Sequence, residues 1–295
     1  MADNNDLLKI IDEKMNSLSK GQKRIANFLK DHYDGAVYLT ASKLGEIAGV
    51  SESTVVRFAN ELGFDGYPKL QEALQELVKN ELTASQRMKV SSDRIAKNDK
   101  HIIRSVLESD LGRISETLEN INPRDFDEAV DYIANAKRVY IVGGRSSSAL
   151  SHFLDFYLNL MRDNVVNAST GAVTETFEHI FRIEEGDVLI GISFPRYSNK
   201  TVKAIGYAHS RGAKTIAITD SKQSPLVNDA TISLIASSDM LSFIDSLVAP
   251  LSLINALLVA ISMKRKDYIA RGLDQLEDLW AEYKVYSSAI KKKYL

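Results

Sequence analysis

At 295 residues, the chain is long enough for two domains that each bury a core. Its 44% hydrophobic and 26% charged residues exclude general disorder and fibrous repeats. The absence of cysteine excludes disulfide scaffolds, thiolate zinc sites and cysteine nucleophiles, and fits a reducing cytoplasm. With a net charge of −2, any contact with a polyanion must come from local placement of charge.

The opening MADNNDLLKI has no basic stretch leading into an apolar run, so no export signal is expected. Leu7, Leu8, Ile11 and Met15, then Ile25, Phe28 and Leu29, then Leu44, Ile47 and Ala48 recur at helical spacing. They predict an all-α domain of short helices over residues 1–80. Residues 81–120 read as a linker and connecting helix: a polar stretch from Thr83 to Lys100, then a helical stripe at Ile102, Val106, Leu111, Ile114 and Leu118.

Residues 121–295 follow a different pattern. Short apolar runs VYIV (139–142), DVLIGIS (187–193), KTIAITD (214–220) and TISLIA (231–236) have the look of buried parallel strands. Residues 164–167 supply a weaker one. Amphipathic stretches at 149–161 and 200–211 separate them, which implies right-handed βαβ units and a three-layer α/β domain with a parallel sheet. The apolar segment from Leu247 to Met263 is interrupted by Pro250, Ser252, Asn255 and Ser262. It falls short of the roughly 20 apolar residues of a membrane span and predicts a core helix. Together with the stripe Ile269, Leu273, Leu276 and Trp280, the helix around Phe243 to Met263 offers more apolar surface than one sheet covers. A homodimer or higher homo-oligomer is expected.

The segment ASKLGEIAGVSESTVVRFANEL (41–62) has the apolar spacing of two helices crossing at a tight turn, with Leu44, Ala48, Val50, Val55 and Phe58 between them. Gly45 is small at the crossing, Gly49 supplies the sharp turn, Ser51 is a natural N-cap, and Gly63 can end the second helix. The second helix then presents Ser51, Glu52, Ser53, Thr54, Val56, Arg57 and Asn60 outward. These types suit a major groove: arginine donates to guanine or phosphate, asparagine pairs with adenine, valine touches a thymine methyl, and hydroxyls bind phosphate. Lys43 adds a backbone contact, with Lys20, Lys23 and Arg24 as weaker candidates. A helical hairpin with a merely solvated polar face has the same pattern.

The run GVSESTVVRFANELGFDGYPKLQEAL closely resembles the N-terminal domain of the RpiR family of bacterial regulators. That family joins such a domain to a C-terminal sugar isomerase (SIS) domain. Both halves and their order match, and LGFDGYPKLQ is the more specific part. The resemblance implies double-stranded operator DNA and a phosphorylated sugar or sugar acid as partners.

In the second half, VYIV runs into Gly143, Gly144, Arg145, Ser146, Ser147 and Ser148 before a helix. Such a turn, with hydroxyls and a helix N-terminus, offers N–H groups and a favourable dipole to an anion. GGRSSS and NVVNAST lack the G-x-G-x-x-G and acidic residue of a dinucleotide site, so no NAD, and no other cofactor or metal, is expected. The loop ISFPRYSNKT ends the next central strand and should face GGRSSS. It supplies Ser193, Arg196, Ser198, Asn199 and Thr201 to phosphate or sugar hydroxyls, though each hydroxyl alone could be a helix cap. The region resembles SIS domains, whose loop commonly reads S-x-S-G-x-T, and FPRYSNK departs from that pattern. An isomerase would need a base, and Glu175, Glu178 and His179 are the only nearby cluster. His152 reads as a packed or half-exposed histidine. The expectation is a regulator without catalysis; the alternatives are a sugar-phosphate isomerase with an accessory helical domain, or a pair of protein-interaction modules.

Overall fold

The computed structural model describes residues 7–37, 39–81, 88, 101–238 and 244–286. The polar stretch 83–100, apart from Met88, and Phe243 lie outside the described residues. The chain divides into two compact units, Met1–Val106 with Met240–Asp245, and Leu107–Asp239 with Ser246–Leu295.

The first unit holds α1 (Leu7–Lys14), α2 (Lys20–Ala36), α3 (Ala41–Ala48), α4 (Glu52–Glu61) and α5 (Gly66–Glu81). Apolar residues at helical spacing converge on one core in which Ile11, Ile25, Leu29, Leu44, Val55, Phe58 and Leu70 are fully buried. A capping box starts α2: the Ser19 hydroxyl accepts from Gln22 N at 3.4 Å, and the Gln22 amide oxygen accepts from Ser19 N at 2.9 Å. Tyr67 and Gln71 hold α5 to the connection before α3. The Tyr67 hydroxyl donates to Leu39 O at 2.7 Å, and Gln71 donates to Val37 O at 2.9 Å and Leu39 O at 3.0 Å. Burial pushes the Tyr67 phenol up to about 12.

Helix α6 (Ile102–Asn120) follows. Its apolar stripe is largely uncovered: Leu111 is 64% and Leu118 74% exposed, while Arg113 is its buried residue.

The second unit continues with α7 (Pro123–Asn135), β1 (Val139–Gly143), α8 (Ser147–Met161), β2 (Val165–Asn167), α9 (Val173–Ile180), β3 (Val188–Ile192), α10 (Asn199–Ser210), β4 (Lys214–Thr219), β5 (Ile232–Ile235), α11 (Val248–Lys264) and α12 (Lys266–Glu282). The strands form one all-parallel sheet in the order β2-β1-β3-β4-β5. Because side chains alternate along a strand, Val139, Ile141, Ile190 and Ile216 pack on one face against α7, α8 and α11. Tyr140, Val142, Leu189 and Ala217 pack on the other against Ala204, Ile205 and Ala208 of α10. Both faces are covered, which is why β1 and β3 are buried at every position.

Helix α8 begins at Ser147, two residues before the sequence-based start, so Ser147 and Ser148 lie in its first turn. Helix α11 begins at Val248 and buries Leu253, Ile254, Leu257, Leu258 and Ile261 in the core. Among the described residues no single helix is long and apolar enough to cross a membrane.

Candidate functional site

The first candidate surface is the α3–α4 pair. Gly49 caps α3 in the left-handed region (φ 63°, ψ 42°), which a side chain would oppose. A Cβ on Gly45 would lie 2.8 Å from Val50 O, so the crossing requires glycine there. Arg24 of α2 secures the turn by donating to Gly49 O at 2.8 Å.

Ser51 takes the N-cap position of α4 with extended backbone, yet its hydroxyl makes no capping bond. It lies instead 2.9 Å from the Ser53 hydroxyl and 2.8 Å from that of Thr54. Within the first turn of α4, Thr54 N donates to Ser51 O at 2.9 Å, and no side chain caps the helix start. Glu52, Ser53, Val56 and Arg57 are exposed and Thr54 is half-buried. Arg57 folds back to donate to Ser53 O at 3.3 Å. A cavity of about 510 Å³ joins the two helix starts, with Ser19, Arg24, Ser51, Thr54 and Arg57 in its wall. Two of the residues expected at DNA already have partners within the chain. Asn60 is exposed, but its side-chain oxygen accepts from Gly66 N at 2.9 Å, engaging the acceptor that a two-bond pair with adenine would use. Lys43 is paired with Glu46 of the same helix at 2.7 Å.

The second candidate surface lies at the carboxyl ends of the central strands. The chain leaves β1 through Gly144 and Arg145; Arg145 has φ 55°, a left-handed conformation that non-glycine residues disfavour. Arg145 and Ser146 are exposed, and Ser147 is buried in the first turn of α8. The β3 loop folds over by its own hydroxyls: Ser193 Oγ accepts from Ser198 N at 2.9 Å, and Ser198 Oγ accepts from Thr201 N at 3.4 Å as the N-cap of α10. The two loops meet. A Cβ built on Gly144 would lie 2.9 Å from Ser198 Oγ and 3.9 Å from Thr201 Oγ1. Thr201 is fully buried, and its Oγ1 has no hydrogen-bond partner among the described residues. Arg196 and Asn199 stand exposed on the same loop. On α9, Glu175, Glu178 and His179 are all exposed; His152 is exposed on α8, with Nδ1 2.7 Å from Ser148 O.

Residues 5–81 match the helix-turn-helix domain of the rpiR family, and residues 132–260 match the SIS domain. The chain carries an rpiR-family helix-turn-helix domain followed by a SIS domain. It is 24% identical over 285 residues to an uncharacterised HTH-type transcriptional regulator of Caldanaerobacter subterraneus subsp. tengcongensis, covering 95% of this chain and 99% of that one. The sugar isomerase domain of an RpiR transcription factor from Sphaerobacter thermophilus is similar at 28% identity with a TM-score of 0.57, over 61% of this chain and 99% of that one. The Vibrio vulnificus NanR protein, solved with ManNAc-6P, shares the fold across 94% of this chain and 98% of its own, at 18% identity and a TM-score of 0.59.

Within the SIS domain, the sequence reading passed over the loop after β2. Ser169 Oγ accepts from Gly143 N at 2.8 Å, tying this loop to the end of β1. The Lys200 ammonium donates to Thr170 O. Burial holds that ammonium below the ordinary lysine value, and Glu175 partly offsets the effect. The available signal was NAST at the end of the short β2, a polar run at a strand's carboxyl end.

Proposed function

We propose that the protein is a bacterial transcriptional regulator of sugar metabolism whose affinity for operator DNA is set by a phosphorylated sugar or sugar acid bound in the SIS domain. The unpartnered, buried Thr201 hydroxyl facing the Gly144 turn carries the sensing half. A buried hydroxyl without a partner costs about 1–3 kcal/mol, and a small opening of the Gly144 turn would admit a phosphate oxygen as the missing acceptor. Around that oxygen, Ser193 and Ser198 order the loop, the N-terminus of α10 contributes its dipole, and Arg196 closes from solvent. Gly144, Arg145, Ser146, Ser147 and Asn199 complete the assignment. NanR, which shares the fold, was solved with a sugar phosphate, and this supports the ligand class.

For DNA, α4 enters the major groove. Glu52, Ser53, Val56 and Arg57 meet base edges or phosphate; Ser51, Thr54 and Arg24 hold a phosphate at the helix starts; and Lys43 exchanges Glu46 for the backbone. Asn60 is assigned to the turn before α5. A homodimer presents two such helices, and exposed Phe156 on α8 with Val259 and Met263 on α11 offers the surface that association would cover. No catalysis is assigned, because relatives matched over most of their length are transcriptional regulators. The working compartment is the cytoplasm, where DNA and phosphorylated sugars coexist. Calorimetry against a panel of sugar phosphates, paired with gel shifts on the upstream region of its own gene, tests the proposal. A binder that changes the gel shift supports it; no binder, or one without effect on DNA, refutes it.

A further inference from the structure

Lys200 adjoins the site just proposed, and its side chain reaches beyond the part assigned to phosphate. It precedes Thr201 on α10, yet its ammonium crosses to the loop after β2 and donates to Thr170 O. A row of contacts thus joins three strand ends. Thr201 and Ser198 oppose Gly144, Gly143 bonds Ser169 at 2.8 Å, and Thr170 accepts from Lys200. In the sheet β1 lies between β2 and β3, so the row spans two strand spacings, roughly 9–10 Å. One phosphate does not bridge that length; a phosphorylated sugar chain does.

The far end of the row is under-neutralised. Lys200 is half-buried, and no carboxylate among the described residues forms an ion pair with it. An ammonium carries three donors, and one carbonyl uses only one of them. Burial depresses its pKa, with Glu175 acting at longer range in the opposite sense. A partly desolvated cation held by a lone neutral acceptor gains most from an anion.

We propose that Lys200 is a specificity-determining residue that binds a carboxylate at the end of the effector remote from its phosphate, making the effector a phosphorylated sugar acid. This inference rests on the sensing role proposed above. Ligand pairs that differ only in carboxylate against hydroxymethyl isolate the interaction: 6-phosphogluconate with sorbitol 6-phosphate, and 3-phosphoglycerate with glycerol 3-phosphate. Full-length protein and its Lys200→Gln and Lys200→Arg variants are titrated with each by calorimetry, with thermal unfolding as the check on folding.

The wild type should bind the acid of a pair about tenfold or more tighter than its alcohol, the scale of one charged hydrogen bond. Lys200→Gln should bring the acid down to the alcohol and leave the alcohol unchanged, while Lys200→Arg keeps the preference. Equal wild-type affinity for both members overturns the inference but leaves the sensing role standing. So does a Lys200→Gln variant that weakens both members alike. If the wild type binds no phosphorylated ligand, the sensing role fails and the inference with it.

Discussion

Replacing Thr201 with valine separates a hydroxyl kept for a ligand from one kept for the fold. Valine retains the methyl group, which packs near Gly191, and exchanges Oγ1 for a carbon of similar size. That oxygen is buried with no partner among the described residues, a condition costing about 1–3 kcal/mol. Thr201→Val should therefore stabilise the SIS domain by about 1 kcal/mol, raising its unfolding midpoint by roughly 2–4 °C for a domain of this size. The same change removes a donor to phosphate, and a hydrogen bond to a charged group is worth about 1.5–3 kcal/mol. Affinity for the effector should fall by about tenfold to 150-fold. Thermal or urea unfolding without ligand, with calorimetry on the same preparation, reads both quantities. The reasoning is refuted if the variant is less stable than wild type and binds the effector equally well, for the hydroxyl is then a structural group.

Three further outcomes follow from particular contacts. Arg57→Ala should weaken operator binding by roughly 1–3 kcal/mol, as seen in a titration by fluorescence anisotropy, because Arg57 is exposed on α4 beside the helix starts; unchanged affinity in a folded variant removes it from the interface. Tyr67 has a phenol pKa raised to about 12 by burial, so its neutral form is favoured in the fold. Its contribution is complete below the unfolded value near 10 and is lost as pH rises toward 12. Urea unfolding at stepped pH should show a loss of stability in that window that is absent from Tyr67→Phe, and identical profiles would contradict the assignment. Val259→Glu, at a position 61% exposed on α11, should leave folding intact and lower the sedimentation-determined mass of the assembly; an unaltered mass places the interface elsewhere.

The sequence made most of the sheet legible because fully buried parallel strands leave unbroken apolar runs, as VLIGI does at β3. Gly49 and Gly45 were equally readable, since a sharp turn and a close crossing admit few other residues. The engagement of Asn60 with Gly66 was not, because an asparagine six residues before a glycine carries no periodic signal. Lys200 was hidden for a similar reason. Its meaning comes from Thr170, which is distant in sequence and reaches it only through the order of β2, β1 and β3. The orphaned hydroxyl of Thr201 is a property of packing, and within the helix pattern it reads as an ordinary threonine.

The central claim is a coupling between ligand and DNA, and it is tested by measuring operator affinity with and without a saturating effector, in wild type and in Thr201→Val. A ligand shifts such an equilibrium only by its difference in affinity for the two arrangements. A coupling of about 1–3 kcal/mol should change wild-type operator affinity by roughly 5-fold to 150-fold. The variant should keep the effector-free affinity and lose the response at the same ligand concentration. Operator affinity that stays constant while calorimetry shows the SIS domain occupied would contradict the account.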